Sequence, residues 1–176
     1  MKPSSMVLLA LALIMVAALA YSTLTPPQQP SKPTSTPPTS GKGLDFELVD
    51  VDGNVFKLSD HRGKVVVLDL MATWCPPCSA LVEELKEVQA ELGDDVVVVS
   101  VSVDPSHDTD DVLKSYAESK GIAWTVARDT VGLAAQFGVS AIPTIVIVDP
   151  EGRVSSIHVG FVSSEELIDL VEEAMG

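Results

Sequence analysis

The chain has 176 residues, with 25 acidic against 11 basic side chains and a formal charge of -14 at pH 7, a length that allows one domain of ordinary size plus an accessory segment. All 25 acids lie from Asp45 onward beside eight of the basic residues, so that part carries a formal -17. Such a surface repels phosphate backbones at moderate salt, which argues against nucleic acid as a partner.

Residues 1–24 form the first unit. Met1 to Ser5 holds one Lys and no acid, and Val7 to Ala20 is unbroken apolar sequence. That core suits the h-region of a signal peptide, with Ala18-Leu19-Ala20 as a cleavage site before Tyr21. Counted from Met6 to Leu24 the stretch has 19 residues, enough to cross a hydrocarbon core of about 30 Å at about 1.5 Å per residue. An uncleaved membrane anchor is the favoured reading and a cleaved signal the alternative. With Lys2 on the cytoplasmic side, the remainder faces outward. Residues 25–43, rich in Pro, Ser and Thr, cannot bury a core and read as a solvated, semi-extended linker.

Residues 44–176 alternate short strands with amphipathic helices. Phe46 to Val49 and Val55 to Leu58 flank Asp52-Gly53-Asn54, a hairpin signal. Val65 to Leu70 is a continuous apolar run of the kind buried on both faces of a sheet. Leu81, Leu85, Val88 and Leu92 make one helical stripe, closed by Gly93. Val96 to Val103 predicts a second buried strand, Asp108 to Lys120 a helix with acids in its first turn, and Trp124 to Ala127 a short strand. Val131 to Phe137 predicts a short helix ended by Gly138. Strands at Ile145 to Val148 and Val154 to Val159 enclose the turn Asp149-Pro150-Glu151-Gly152. The last helix opens on the capping box Ser163-Ser164-Glu165-Glu166 and turns Leu167, Ile168, Leu170 and Val171 inward. This order predicts an α/β domain with a mixed sheet covered on both sides.

Trp74-Cys75-Pro76-Pro77-Cys78 falls between the first buried strand and the strongest helix. The two cysteines, alone in the chain, close too small a loop to stabilise much, which points to chemistry rather than a staple. Half of a zinc site looks the same, but zinc takes about four ligands. The remaining candidates, His61, His107 and His158, lack ligand spacing, so no metal or cofactor is expected. At a helix N-terminus, free N–H groups and the helix dipole stabilise a thiolate. Cys75 is therefore the expected nucleophile, and Cys78, one turn deeper, the residue that resolves a mixed disulfide. Pro76 and Pro77 are tolerated because first-turn N–H groups have no acceptor to lose.

The run VVVLDLMATWCPPC from Val65 to Cys78 resembles the active-site strand and turn of the thioredoxin superfamily, especially its TlpA/ResA-like branch of membrane-anchored thiol-disulfide oxidoreductases. A second run, Phe137-Gly138-Val139-Ser140-Ala141-Ile142-Pro143-Thr144, resembles that family's cis-proline loop. The similarity covers residues 44–176. It implies a thioredoxin-like fold, a central mixed β-sheet flanked by helices, with an N-terminal β-hairpin and an inserted strand and helix around Val96 to Lys120. It also implies that Pro143 is cis and faces the disulfide. Ile142 then offers backbone hydrogen bonds to an extended substrate, and Trp74 shields the sulfur. Asp69, six residues before Cys75, matches the buried acid that in thioredoxins accepts the proton of the second cysteine; burial should raise its pKa. Many TlpA-like proteins have no acid there, so this position leans toward thioredoxin itself. Glu83 and Glu84 read as a solvated helix face.

The function so implied is reduction of protein disulfides outside the cytoplasm by a monomer, re-reduced by a membrane thiol electron donor. Two other classes compete. A thioredoxin-fold copper metallochaperone pairs its cysteines with a distal His, but such proteins usually space the cysteines more widely, and His158 does not stand in a convincing position for that role. A thiol peroxidase of the peroxiredoxin type has its reactive Cys three residues after a Thr, whereas Thr73 precedes Cys75 by two.

Overall fold

The computed structural model describes residues 44–176. The anchor or signal at 1–24 and the linker at 25–43 lie outside the described residues, among which no helix is long and apolar enough to cross a membrane.

A small antiparallel hairpin comes first, β1 (Glu47–Val49) and β2 (Val55–Lys57). Its turn is organised by Asp50, whose carboxylate accepts the N–H groups of Asp52 and Asn54 at 2.9 and 2.8 Å. The central sheet contains β3 (Val65–Met71), β4 (Val96–Ser102), β5 (Thr125–Arg128), β6 (Thr144–Val148) and β7 (Val154–Val159) in the order β5-β4-β3-β6-β7. β3 to β5 run parallel, whereas β6 and β7 are antiparallel additions. The expected mixed sheet is therefore observed, with β3 at its centre. All seven β3 residues are buried, as the unbroken apolar run requires.

Strand alternation gives each face its own core. Val66, Leu68 and Leu70 point toward the hairpin residues Phe46, Leu48, Phe56 and Leu58. Val65 and Val67 point the other way. There they meet α1 (Pro76–Leu92) through Leu81, Leu85 and Val88, and α4 (Ser164–Met175) through Leu167, Val171 and Ala174. Each fully buried Leu contributes about 1.5–3 kcal/mol relative to an exposed one. Ile168 and Leu170, expected inward, are only partly buried at the edge of that cluster.

Two shorter helices complete the domain, α2 (Asp110–Lys120) and α3 (Leu133–Gln136). The first was expected from Asp108, but Thr109 is its N-cap, its hydroxyl accepting the N–H of Val112 at 3.4 Å. Asp108 instead turns into the protein. Glu84 also departs from expectation, because its carboxylate accepts the Ser164 N–H at 2.7 Å and so satisfies a donor at the start of α4. Glu83 fits the solvated reading, exposed and paired with Lys86 at 2.9 Å.

Candidate active site

β3 delivers the chain to Met71, and a tight turn through Ala72 to Trp74 leads into α1. Cys75 is the N-cap of that helix, and Pro76 and Pro77 occupy its first positions. The Cys75 Sγ accepts the backbone N–H of Cys78 at 3.2 Å, so one orphan donor of the helix start is aimed at the sulfur. The same donor and dipole stabilise a thiolate there once the bond is reduced. In this structure Cys75 and Cys78 are joined as a disulfide. With Met71 and Ala72 they form a small buried cluster against which Ile142 and Tyr116 pack.

The Ile142-Pro143 peptide is cis. Pro143 is buried, and its carbonyl accepts the Gly160 N–H at 2.8 Å, tying the loop to the end of β7. Ile142, in contact with the cysteine cluster, has a main-chain N–H and C=O that make no hydrogen bond among the described residues. Such a free pair can accept an extended peptide. His158 lies on β7 opposite Ile145 and 3.8 Å from Glu166. Among the described residues no three His, Cys, Asp or Glu side chains converge as a metal ion requires.

Trp74 is 56% exposed. Rather than being free, its indole N–H donates to Asp104 at 3.2 Å. Beside it Asp108, fully buried, accepts the Thr73 N–H at 2.9 Å, the Thr73 hydroxyl at 2.5 Å and the Ser102 hydroxyl at 2.6 Å, with the exposed His107 ring 3.0 Å away. Burial works to raise the Asp108 pKa, but hydrogen bonds from Ser102, Thr73 and His107 outweigh it and hold the carboxyl below its ordinary range. The residues immediately before Cys75 are thus pinned to the segment that follows β4. Sequence reasoning missed this network, since Asp108 has the spacing of a helix-start acid.

Asp69 is 1% exposed. Its side chain shares a face of β3 with Val65, Val67 and Met71, the face covered by α1, so it lies between the helix-packed core and the cysteine cluster. One oxygen, Oδ2, accepts the Ser100 hydroxyl at 2.9 Å, while Oδ1 is buried with no partner. Burial pushes its pKa up to about 7, with the Ser100 hydrogen bond pulling the other way. Tyr116 bridges the two groups: it packs on the cysteine cluster, and its own pKa is raised first by burial and then by the Asp69 and Asp108 charges. Although Ser79 lies beside it, the Tyr116 hydroxyl makes no hydrogen bond of good geometry. Ser100, Ser102 and Tyr116 escaped the sequence reading. The two serines did leave a signal, as polar interruptions on one face of a strand otherwise made of Val.

Comparison with known proteins agrees with this geometry. Over 123 residues the chain is 30% identical to the thioredoxin-like protein YneN of Bacillus subtilis, covering 70% of this chain and 72% of that one. It is 29% identical over 127 residues to the thiol-disulfide oxidoreductase ResA of Geobacillus thermodenitrificans, covering 70% of each. A thioredoxin-family thiol:disulfide interchange protein from Chlorobium tepidum superposes with a TM-score of 0.69 at 27% identity, over 78% of this chain and 99% of that one. The family model described as AhpC/TSA matches residues 41–157, and on that match the chain belongs to the thioredoxin-like AhpC/TSA family.

Proposed function

We propose that this chain reduces protein disulfides outside the cytoplasm, by dithiol-disulfide exchange at Cys75 and Cys78. The observation that carries the reading is the Cys75-Cys78 disulfide at the N-terminus of α1, with Cys75 as N-cap and the Ile142-Pro143 loop packed beside it. Relatives named as thiol-disulfide oxidoreductases support the same chemistry.

Starting from the dithiol, the Cys75 thiolate attacks one sulfur of a substrate disulfide, and the other substrate sulfur leaves as a thiolate. The Cys78 thiolate then attacks the Cys75 sulfur of the mixed disulfide. That step expels the second substrate thiolate and leaves Cys75-Cys78 oxidised, two electrons having passed to the substrate. Asp69 acts as the base for Cys78, its buried carboxyl being poised near neutral pH. The free main chain of Ile142 pairs with the substrate backbone. Pro143, without an N–H, and Trp74 form the rest of the docking surface.

Having two cysteines, the chain depends on an outside donor, a membrane thiol carrier, to return to the dithiol. The 19-residue apolar stretch from Met6 to Leu24 would tether a monomeric domain near that donor and raise the encounter concentration. Extraction tests the tether: the full-length protein should stay with membranes through high-salt washing. A soluble product beginning at Tyr21 contradicts it.

Cysteine variants test the exchange. Cys75→Ser should abolish insulin reduction. Cys78→Ser should accumulate a mixed disulfide with the substrate, because the first exchange needs Cys75 alone. Substantial turnover by Cys75→Ser would falsify the assignment.

A further inference from the structure

Asp69 and Ser100 are register partners on β3 and β4, and paired residues of neighbouring strands project to the same face of a sheet. The Ser100 Oγ lies 2.9 Å from Asp69 Oδ2 and 3.0 Å from the indole nitrogen of Trp124, just ahead of β5. An indole N–H can only donate, and a hydroxyl has one proton. With Trp124 donating to it, the Ser100 oxygen acts as acceptor on that side and directs its own proton to Asp69. Ser100 has no solvent exposure, so bulk water does not compete for either position.

We propose that Ser100 and Trp124 are positioning residues for Asp69. Together they reserve Oδ2 as a hydrogen-bond acceptor, so that a proton taken up by Asp69 sits on Oδ1, the buried oxygen with no protein partner. This deepens the proposed exchange reaction and rests on the reading of Asp69 as its base. It gives that base a defined reactive oxygen, and it gives the chain two residues that tune its ionisation from behind the disulfide.

The surroundings leave this role to Ser100. From α2, Tyr116 faces the carboxyl as a neutral phenol. At the start of α1, Cys78 belongs to the cluster on which Tyr116 packs and, as part of the disulfide, does not titrate in the oxidised form. On β6 the register partner is Ile145, which does not titrate. Among the described residues Ser100 is the group that favours the charged form against burial. Removing its hydroxyl must therefore raise the Asp69 pKa. Removing only the indole N–H lets the Ser100 hydroxyl turn and accept from a protonated carboxyl. That favours the neutral acid too, but less, and acts only through Ser100.

The test is a carbon-13 NMR titration of the Asp69 carboxyl in the oxidised full-length protein, with Asp69→Asn identifying the resonance. Ser100→Ala should raise the midpoint by about one pH unit or more, as expected for loss of a hydrogen bond to a buried carboxylate. Trp124→Phe should raise it by less, and the double variant should match Ser100→Ala, the non-additivity expected of residues acting in series. An unchanged midpoint in Ser100→Ala, or additive shifts in the double variant, overturns the proposal. Pre-steady-state resolution of the mixed disulfide separates it from the underlying reading. If Asp69→Asn resolves with the pH profile of the native chain while Ser100→Ala still moves the midpoint, Asp69 is not the base and the positioning holds. A titration that does not respond to Ser100→Ala, beside a profile that depends on Asp69, defeats the positioning alone.

Discussion

Asp69 and Asp108 are both carboxyls closed off from solvent, and their surroundings drive them in opposite directions. Asp108 gathers donors enough to stay charged, whereas Asp69 has one and is pushed up to about 7. For Asp69 the folded pKa lies above the unfolded value of about 3.9. The native state then binds more protons than the unfolded chain between those values, so stability falls as pH rises from about 4 through 7. The slope from this one group approaches about 1.4 kcal/mol per pH unit. Asp69→Asn lacks that component. Denaturant unfolding of the oxidised proteins at pH 5 and pH 8 should show the native chain losing a few kcal/mol relative to the variant as pH rises. Parallel pH dependence in the two proteins would mean that the carboxyl is not held in a dry site. The same variant should resolve mixed disulfides more slowly near neutral pH, the defect shrinking toward the thiol pKa of about 8.5. Asp69 was legible in the sequence because an acid interrupts an apolar strand at a fixed distance from a cysteine pair. Its partner Ser100 was not, since a serine in a strand has no chemistry of its own until the register places it opposite a carboxyl.

At the scale of elements, the candidate active site is a junction between the best-buried strand and the strongest helix, and both were plain in the sequence. The Val65 run predicted β3 to within one residue, and the Leu81, Leu85, Val88 stripe is the buried face of α1. Helix starts were less legible, because an acid or hydroxyl near a terminus can cap, solvate or turn inward with equal local propensity. Asp108 turned inward to hold Thr73, and Glu84, 80 residues from the N–H it accepts, caps a helix other than its own. Long-range satisfaction of an orphan N–H has no periodic signature. Glu84→Ala should accordingly cost about 1 kcal/mol by removing an acceptor from the start of α4, while Glu83→Ala, which loses only an exposed pair with Lys86, stays within about 0.5 kcal/mol. Urea midpoints of the two variants decide between them: equal midpoints would return Glu84 to the solvated face.

Over the whole molecule, the fold class, the cysteine pair and the cis-proline loop were legible together because each lies in a contiguous motif and the strand order follows from the elements. What the chain could not display was the set of side chains that surround the disulfide from β4, α2 and the segment between them, which only folding assembles. In the proposed reading, the acidic composition, the apolar N-terminal stretch and the Pro-rich tract at 25–43 bear on where the domain works rather than on how. The chemistry stands or falls with the dithiol-disulfide couple itself. Equilibrating the full-length protein against glutathione and dithiothreitol buffers, with the thiols alkylated and counted by mass, should give one two-electron transition confined to Cys75 and Cys78. Its midpoint should lie near the about -270 mV of a reducing thioredoxin. A couple near the about -120 mV of a strong oxidant would reverse the proposed direction, and no reversible two-electron transition at these cysteines would contradict the exchange mechanism outright.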